Sequence, residues 1–441
     1  MDNILENARK NIRPDMGIIK DVDIMVEKIN LLLKKNSIAA ECVKGGSIAK
    51  ETFLKDDYDI DLFVRYDQSY REQNISDMTG EMLKELCKDL KVKNLEKIHG
   101  SRDYFQFKVK DKSKMLDFEI VPVMLVHRTN YQDASNITDL TPEHVTWVKK
   151  YTEKNPNLID DIRLAKQFCK ANRVYGAESY INGFSGHILD ILVIYHGSFI
   201  NMLKAFSRYE DKNIGTDTPI IIDPERHHKD PIKELNQSRI APLIIIDPIQ
   251  KNRNSAAALS REKLLIFIDA ARKFLKRPDK IYFEIKKFDM KKEIEDSSKG
   301  LSKMDSQLIQ IRIKTLDGSK DVVGTKVLKA YEAMIDHLRL NGFKVHSSGW
   351  DFAFEKRSAE MYIIVDKYIS KEVEQEGPPI SARKDYQKFL DKHTELKHRT
   401  FVRDGRIYVI VPRLYTDAKK FLEDLSKQEF ISRRFKSIMI R

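Results

Sequence analysis

KGGSIAKETFLKDDYDIDLFVRY, residues 44–66, decides how the rest of the chain is read. It holds a Gly-Gly-Ser turn, a helical start, and two aspartates at alternate positions of an apolar strand. On a strand, side chains two residues apart share a face, so Asp59 and Asp61 point one way while Ile60 and Leu62 point into a core. Two like charges held that close repel unless a cation sits between them, and the usual answer is a divalent metal. Upstream, Gly45 and Gly46 let the backbone turn tightly beside a ligand. Ser47 and the amides after it can then hold phosphate oxygens at a helix N-terminus. A phosphate cradle and a carboxylate pair about a dozen residues apart imply nucleotidyl transfer.

Taken singly, both halves are commonplace: Gly-Gly-Ser is a frequent turn, and paired aspartates at a strand edge are often only solvated. In this order and spacing they resemble the signature of the polymerase-beta-like nucleotidyltransferases, where a G-[GS]-S element precedes a D-x-D strand. A third carboxylate is expected from the strand-like run LDFEIVP. Asp117 and Glu119 share one face there, and alternation alone admits either. The superfamily pattern places the acid three residues before the proline, which selects Glu119.

At 441 residues the chain is long enough for two to four domains. Its 41% hydrophobic and 33% charged residues are ordinary for a soluble protein. No run of eighteen apolar residues occurs, so no membrane span is expected. The opening MDNILENARKNIRPD has no signal-peptide core. Cys42, Cys87 and Cys169 lie far apart without zinc spacing, which fits a reducing, cytoplasmic setting. Net charge is +12, and residues 276–441 carry 36 Lys+Arg against 26 Asp+Glu, so ten of those charges sit there. A basic excess confined to one region is the footprint of a polyanion partner, nucleic acid first among them.

Along the chain, residues 1–36 read as helix and 37–43 as a short strand. Residues 72–90 read as amphipathic helix, then 104–109 and 115–121 as strands, the second ending at Pro122. That order suits a small α/β palm. In TDLTPEHVTWV, Thr141 is expected as an N-cap with Pro142 at the first helical position. His144 sits at the same helix end, where hydroxyl and imidazole could both meet a triphosphate. Residues 160–174 form a helix carrying Lys166 and closed by Tyr175 and Gly176. SYINGFSGHILDILVIYHGSF follows, an apolar helix read as core packing. Residues 219–223 and 242–247 read as strands. Arg253 and Asn254 then precede a helix start at Ser255, exposed and able to reach a base edge. His227-His228 lies in a polar loop and reads as surface.

The last region opens at Lys276-Arg277-Pro278. Residues 291–303 read as a charged connector. The order 306–316 strand, 321–341 helix, then strands 343–348, 350–355 and 361–367 permits a ferredoxin-like module. A helix at 384–393, a hairpin over 400–411 around Asp404-Gly405, and a helix at 416–426 complete it. The basic tail SRRFKSIMIR is a candidate grip on RNA.

GGSIAK, DIDLF, TPEH, RLAKQFCKANRVYGAESYINGFSGHILDILVIYHGSF and RNSAAALS, in this order, resemble the archaeal (class I) CCA-adding enzymes. These are tRNA nucleotidyltransferases related to eukaryotic poly(A) polymerases and oligoadenylate synthetases. The likeness runs through about residues 40–275, and GPPI with the following helix extends it. It implies an α+β protein with a polymerase-beta-like catalytic palm over 1–155. A helical nucleotide-binding domain over 156–276 and a tRNA-binding body and tail over 277–441 would follow. It implies template-independent addition of C, C and A to tRNA 3′ ends from CTP and ATP, with room for a homodimer. Asp59, Asp61 and Glu119 would hold Mg2+. Ser47, Lys50, Thr141, His144, Lys166 and Tyr175 would hold the triphosphate, and Arg253 would read the incoming base. Lys50 stands where the family more often has Arg; the charge survives but bidentate phosphate recognition does not. A related poly(A) or oligoadenylate polymerase, or a non-catalytic RNA-binding protein on a degenerate transferase scaffold, are the competing expectations.

Overall fold

Pro14 is where the N-terminal helical pattern breaks. In the computed structural model, which describes residues 1–100, 102–111, 114–126, 134–286, 288–300, 306–367 and 369–441, the expected single helix is two. They are α1 (Asp2–Ile12) and α2 (Ile18–Lys35). A proline pushes its predecessor out of helical geometry, and Arg13 is extended at φ −65°, ψ 121°. The break also separates two cores. Leu5, Ala8 and Ile12 of α1 pack with the central helices, whereas Ile18, Val22, Met25, Ile29 and Leu33 of α2 pack under the first sheet.

The chain divides into two compact units, Met1–Lys286 and Lys287–Arg441. In the first, strands β1 (Ala40–Lys44), β2 (Asp59–Tyr66), β3 (Leu95–Ile98), β4 (Tyr104–Asp111) and β5 (Lys114–Met124) form one sheet. Its order is β1-β2-β5-β4-β3. The pair β2–β5 is parallel and aligns Asp59 with Asp117 and Asp61 with Glu119. The other pairs are antiparallel. A short helix α3 (Gly46–Ala49) links β1 to β2, and α4 (Ile75–Asp89) covers the sheet. β5 does not stop at Pro122 as expected. The Pro122 carbonyl accepts from Arg102, on the side away from β2, so its missing N–H costs no bond in the β2–β5 ladder.

Helices α5 (Thr141–Thr152), α6 (Asn157–Ala171), α7 (Gly186–His196) and α8 (Phe199–Ser207) follow. Then come β6 (Ile220–Ile222), α9 (Pro231–Glu234), β7 (Leu243–Ile245) and α10 (Arg261–Lys276). β6 and β7 pair in parallel. Phe168 of α6 sits among the rings of Phe199, Phe267, Phe274 and Phe283. The apolar α7 starts at a Ser185 cap and ends at Gly197, whose φ of +76° only glycine adopts cheaply. Among the described residues no single helix is long and apolar enough to cross a membrane; α7 and α8 together would be, but they bend by 90° and are lined with buried residues.

The second unit opens with α11 (Met290–Ser298), where a connector was expected; residues 301–303 of that connector lie outside the described residues. β8 (Ser306–Lys314), α12 (Lys320–Leu340), β9 (Val345–Ala353) and β10 (Ser358–Asp366) come next. An insertion follows: β11 (Glu372–Pro379), α13 (Arg383–Lys392), β12 (Thr400–Arg403) and β13 (Arg406–Pro412). α14 (Ala418–Leu425) and β14 (Ser437–Ile440) close the chain. The main sheet runs β14-β8-β10-β9, the strand order of a βαββαβ ferredoxin-like module, and the insertion makes its own sheet β11-β13-β12. Two strands were expected where β9 is one. Gly349 does not interrupt it: a Cβ there would lie 2.5 Å from the ring of its partner Tyr362. The basic tail is also partly sheet, with Ile438 and Ile440 packed on the core as edge strand β14. β11 was not foreseen, because its EVEQE alternation is charged on the face where Glu372, Glu374 and Glu376 pair with Arg399, Arg403 and Arg406. The Asp404-Gly405 hairpin forms with both residues left-handed, at φ +51° and +73°.

Candidate active site

Gly45, just before α3, and Gly46, its first residue, are both needed to lay it on β2. The Gly45 amide donates to the Asp61 carbonyl at 2.8 Å, and a Cβ on Gly45 would lie 2.3 Å from the Phe63 ring. Gly46 has φ +50°, and its Cβ would lie 1.7 Å from Asp61 Oδ2. The turn carrying Ser47 is thus pressed against the carboxylate. Asp59 is exposed, while Asp61 and Glu119 are half-buried on the same face. Burial pushes the Asp61 carboxyl up to about 6, with Lys50 pulling against it and Asp59 adding to it. Burial likewise pushes Glu119 up to about 7, Asp61 adding, although Gln106 donates to Glu119 Oε2 at 2.9 Å. Asp117 is spoken for by Lys108, 3.2 Å away. Carboxylates whose charge is resisted by burial and by one another form a donor set that suits a divalent cation.

Beside them lies a buried cationic pair. Lys50 Nζ is 2.7 Å from Asp190 Oδ2, and Lys166 Nζ is 3.9 Å from Asp190 Oδ1. Lys166 also donates to the Thr52 carbonyl at 3.0 Å and its hydroxyl at 2.9 Å. Burial lowers the Lys166 ammonium to about 8, with Asp190 opposing. Burial alone would raise Asp190, but Lys50 and Lys166 outweigh it and hold the carboxyl below its usual range. The Tyr175 hydroxyl and the Lys166 stem come within 3.3 and 3.6 Å of where a Gly186 Cβ would sit, so glycine at the α7 start makes this packing possible. Burial also raises the Tyr175 phenol. In the sequence, the apolar positions of α7 hid Asp190. A lone acid inside an otherwise apolar helix was the available signal, since such a charge is buried only when paired.

A third group gathers around Asp247, just after β7. His144 Nε2 lies 2.8 Å from its Oδ1, and His187 Nε2 lies 3.3 Å from its Oδ2. Their donor atoms lie within 4.8 Å of one another, a set that could hold a metal ion. Arg253 Nη1 also donates to Asp247 Oδ2, at 3.3 Å, and its side chain is 35% exposed. Asp247 and His187, like Asp190, were absent from the sequence expectations.

Three local expectations need correction. Thr141 is not an N-cap: it is already helical at φ −61°, ψ −38°, because a 3-10 turn capped by Asn136 and Asp139 runs straight into α5. Asn254 cannot reach a base, being 3% exposed, with Oδ1 accepting from the Ile245 and Ala256 amides and Nδ2 donating to the Arg239 and Leu243 carbonyls. No helix starts at Ser255; turns continue until α10, which Ser260 caps. Of the His227-His228 pair, read as surface, His227 is exposed and His228 partly so. His227 Nε2 reaches the Pro248 carbonyl, and His228 is held between Glu234 and the Lys251 carbonyl.

With this geometry in hand, three family descriptions match the chain. A nucleotidyltransferase domain covers residues 26–117, a tRNA nucleotidyltransferase second domain residues 160–284, and a CCA-adding enzyme C-terminal domain residues 305–433. The CCA-adding enzyme of Nanoarchaeum equitans is 32% identical over 410 residues, spanning 91% of this chain and 92% of the relative. That of Methanothermobacter thermautotrophicus is 27% identical over 427 residues, spanning 95% and 87%. Among solved structures, Cid1 poly(U) polymerase with Mg 3′-dATP bound aligns at 15% identity and a TM-score of 0.48, covering 64% of this chain and 98% of that one.

Proposed function

This chain belongs to the CCA-adding enzyme family, and from that premise we propose that it adds C, C and A to tRNA 3′ ends from CTP and ATP, without a template, at the site built on β2. The observation that carries the proposal is the register of β2 on β5, which sets Asp61 beside Glu119 and Asp59 beside Asp117 on the face that Gly46 approaches. Asp59, Asp61 and Glu119 would hold Mg2+; Asp117, paired with Lys108, stands aside. The chemistry that a pair of such ions supplies when bound is stabilisation of the attacking and leaving oxygens of an in-line displacement.

The chain's own side chains do the positioning on which phosphoryl transfer depends. Ser47 and the amides of α3 bind phosphate oxygens next to the carboxylates. Lys50 and Lys166 bring two positive charges to the same wall, and Asp190 keeps them there in the absence of substrate. Tyr175 and Thr141 complete the triphosphate contacts. His144 has its Nε2–H committed to Asp247, so Nδ1 is its edge for phosphate, and a phosphate oxygen is bound there with Nδ1 protonated as well. Arg253 presents its half-exposed guanidinium to the base. The basic second unit grips the tRNA body through phosphate contacts. The three buried free cysteines suit a cytoplasmic setting.

A tRNA lacking its 3′ CCA, incubated with labelled CTP and ATP and Mg2+, tests this. The expected products are two C residues from CTP alone and a complete CCA from both nucleotides. Extension by A alone would point to a poly(A) or oligoadenylate polymerase, and tRNA binding without any Mg2+-dependent incorporation would point to a non-catalytic scaffold.

A further inference from the structure

Asp247 is wholly buried, yet six donors converge on its carboxylate. Oδ1 accepts from His144 Nε2 at 2.8 Å and from the Ile249 and Gln250 amides at 3.0 and 3.1 Å. Oδ2 accepts from the Ser255 hydroxyl at 3.0 Å and from His187 Nε2 and Arg253 Nη1, both at 3.3 Å. An ionised carboxylate only accepts, so both imidazoles must donate through Nε2, which fixes their ring planes and leaves Nδ1 of His144 to carry a second proton toward an anion. Burial alone would raise this carboxyl; hydrogen bonds from His144 and His187 outweigh it and hold Asp247 well below the usual range. The donors come from three separate stretches of chain: α5, the start of α7, and the loop after β7.

The spacing of His144, His187 and Asp247 would also admit a cation. The arrangement opposes one. A carboxylate offers about four acceptor sites, and here the amides, the hydroxyl and the guanidinium already take them. A metal ion on Oδ2 would also stand against the charge of Arg253.

We propose that Asp247 is the positioning residue of the nucleotide pocket, holding His144 for the phosphates and Arg253 for the base in one frame so that both ends of a nucleoside triphosphate are recognised together. This rests on the assignment of His144 and Arg253 as nucleotide ligands. His144 Nδ1 carries no hydrogen bond among the described residues, which leaves that edge for a ligand while Nε2 is held. Arg253, anchored at one nitrogen, keeps donors of its fork for a base. Loss of the carboxylate should therefore weaken nucleotide binding at both ends without touching the reacting groups.

The test is Asp247→Asn, nearly the same in shape, measured in the full-length enzyme with tRNA, CTP, ATP and Mg2+. The expected result is a rise in KM of about tenfold or more for both nucleotides, with kcat at saturating nucleotide within about threefold. Combined with His144→Ala or Arg253→Ala, it should add little to either single variant, because the frame and the framed act as a unit. Ser255→Ala, which removes one donor from the hub, should move KM the same way by a few fold; it serves as the readout if Asp247→Asn melts at the assay temperature. Unchanged KM values in these variants, or losses that multiply independently with His144→Ala and Arg253→Ala, overturn the proposal. So does Zn2+ raising the melting temperature of wild type but not of Asp247→Asn, which would make the cluster a metal site. If His144→Ala and Arg253→Ala themselves leave nucleotide KM unchanged, the assignment of the pocket fails and the frame with it. Impaired ligand variants beside a silent Asp247→Asn remove the frame alone.

Discussion

Glu119 and Asp117 are delivered to one face by the same alternation, and their neighbours separate them. Lys108 neutralises Asp117, whereas Glu119 sits in register with Asp61 and is crowded by its charge. Glu119→Gln keeps size and hydrogen bonding but deletes the charge, so single-turnover incorporation should fall by about a thousandfold or more. Asp117→Asn should stay within about tenfold, and the reverse ranking would show the wrong acid has been assigned. Lys166 supports a pH prediction. Its folded value is lowered from 10.5 to about 8, so kcat/KM for nucleotide should fall as pH rises through about 8 and the ammonium is lost. Between those two values the unfolded chain binds more protons than the folded one, so Lys166's contribution to stability rises with pH. Falling activity with rising stability distinguishes lost charge from unfolding. A profile flat to pH 10 would contradict this. At this scale the carboxylates were legible because strand alternation is local. The partners of Asp190, Asp247 and Asn254 were not, since each lies distant in sequence or across a turn that only the fold reveals.

Prolines and glycines decide the elements, and each acts through what it faces. Pro14 breaks a helix whose periodicity looked continuous, while Pro122, read as a stop, sits within β5 because its nitrogen faces away from the ladder to β2. Which side a proline faces depends on the neighbouring strand, and a single segment does not disclose that. Gly46 shows the same dependence with a functional consequence. Gly46→Ala and Gly197→Ala both place a methyl on a left-handed backbone, at φ +50° and +76°, costing on the order of 1 kcal/mol. The second methyl meets nothing within 4 Å, whereas the first meets Asp61. Gly197→Ala should therefore lose a little melting temperature and keep its activity. Gly46→Ala should lose about a hundredfold or more in incorporation, because α3 and Asp61 must move apart. Equal activity in the two variants would mean that the cradle need not touch the carboxylate.

Across the whole molecule, charge separates the roles. Residues 287–441, the second unit, carry 32 Lys+Arg against 24 Asp+Glu and so eight of the net twelve positive charges, whereas the carboxylates and their cationic wall lie in the first unit. Full-length protein should therefore lose tRNA affinity steeply as salt rises, through counterion release. A protein ending at Lys286, once thermal melting has shown it folded, should bind ATP normally and show a much shallower salt slope. An unchanged slope would move the RNA surface to the first unit. The fold was legible at this scale as far as local order reaches: the helix and the β-α-β-β run permitted the ferredoxin-like module. The pairing of β14 with β8 across the whole unit was not visible in a tail rich in arginine and lysine. The central claim is that the face shared by β2 and β5 performs the addition. It is tested most directly by measuring incorporation and tRNA affinity together in Asp59→Ala and Asp61→Ala. Each should abolish incorporation of C and A while binding tRNA as wild type does; incorporation within about tenfold of wild type in either variant would contradict the claim.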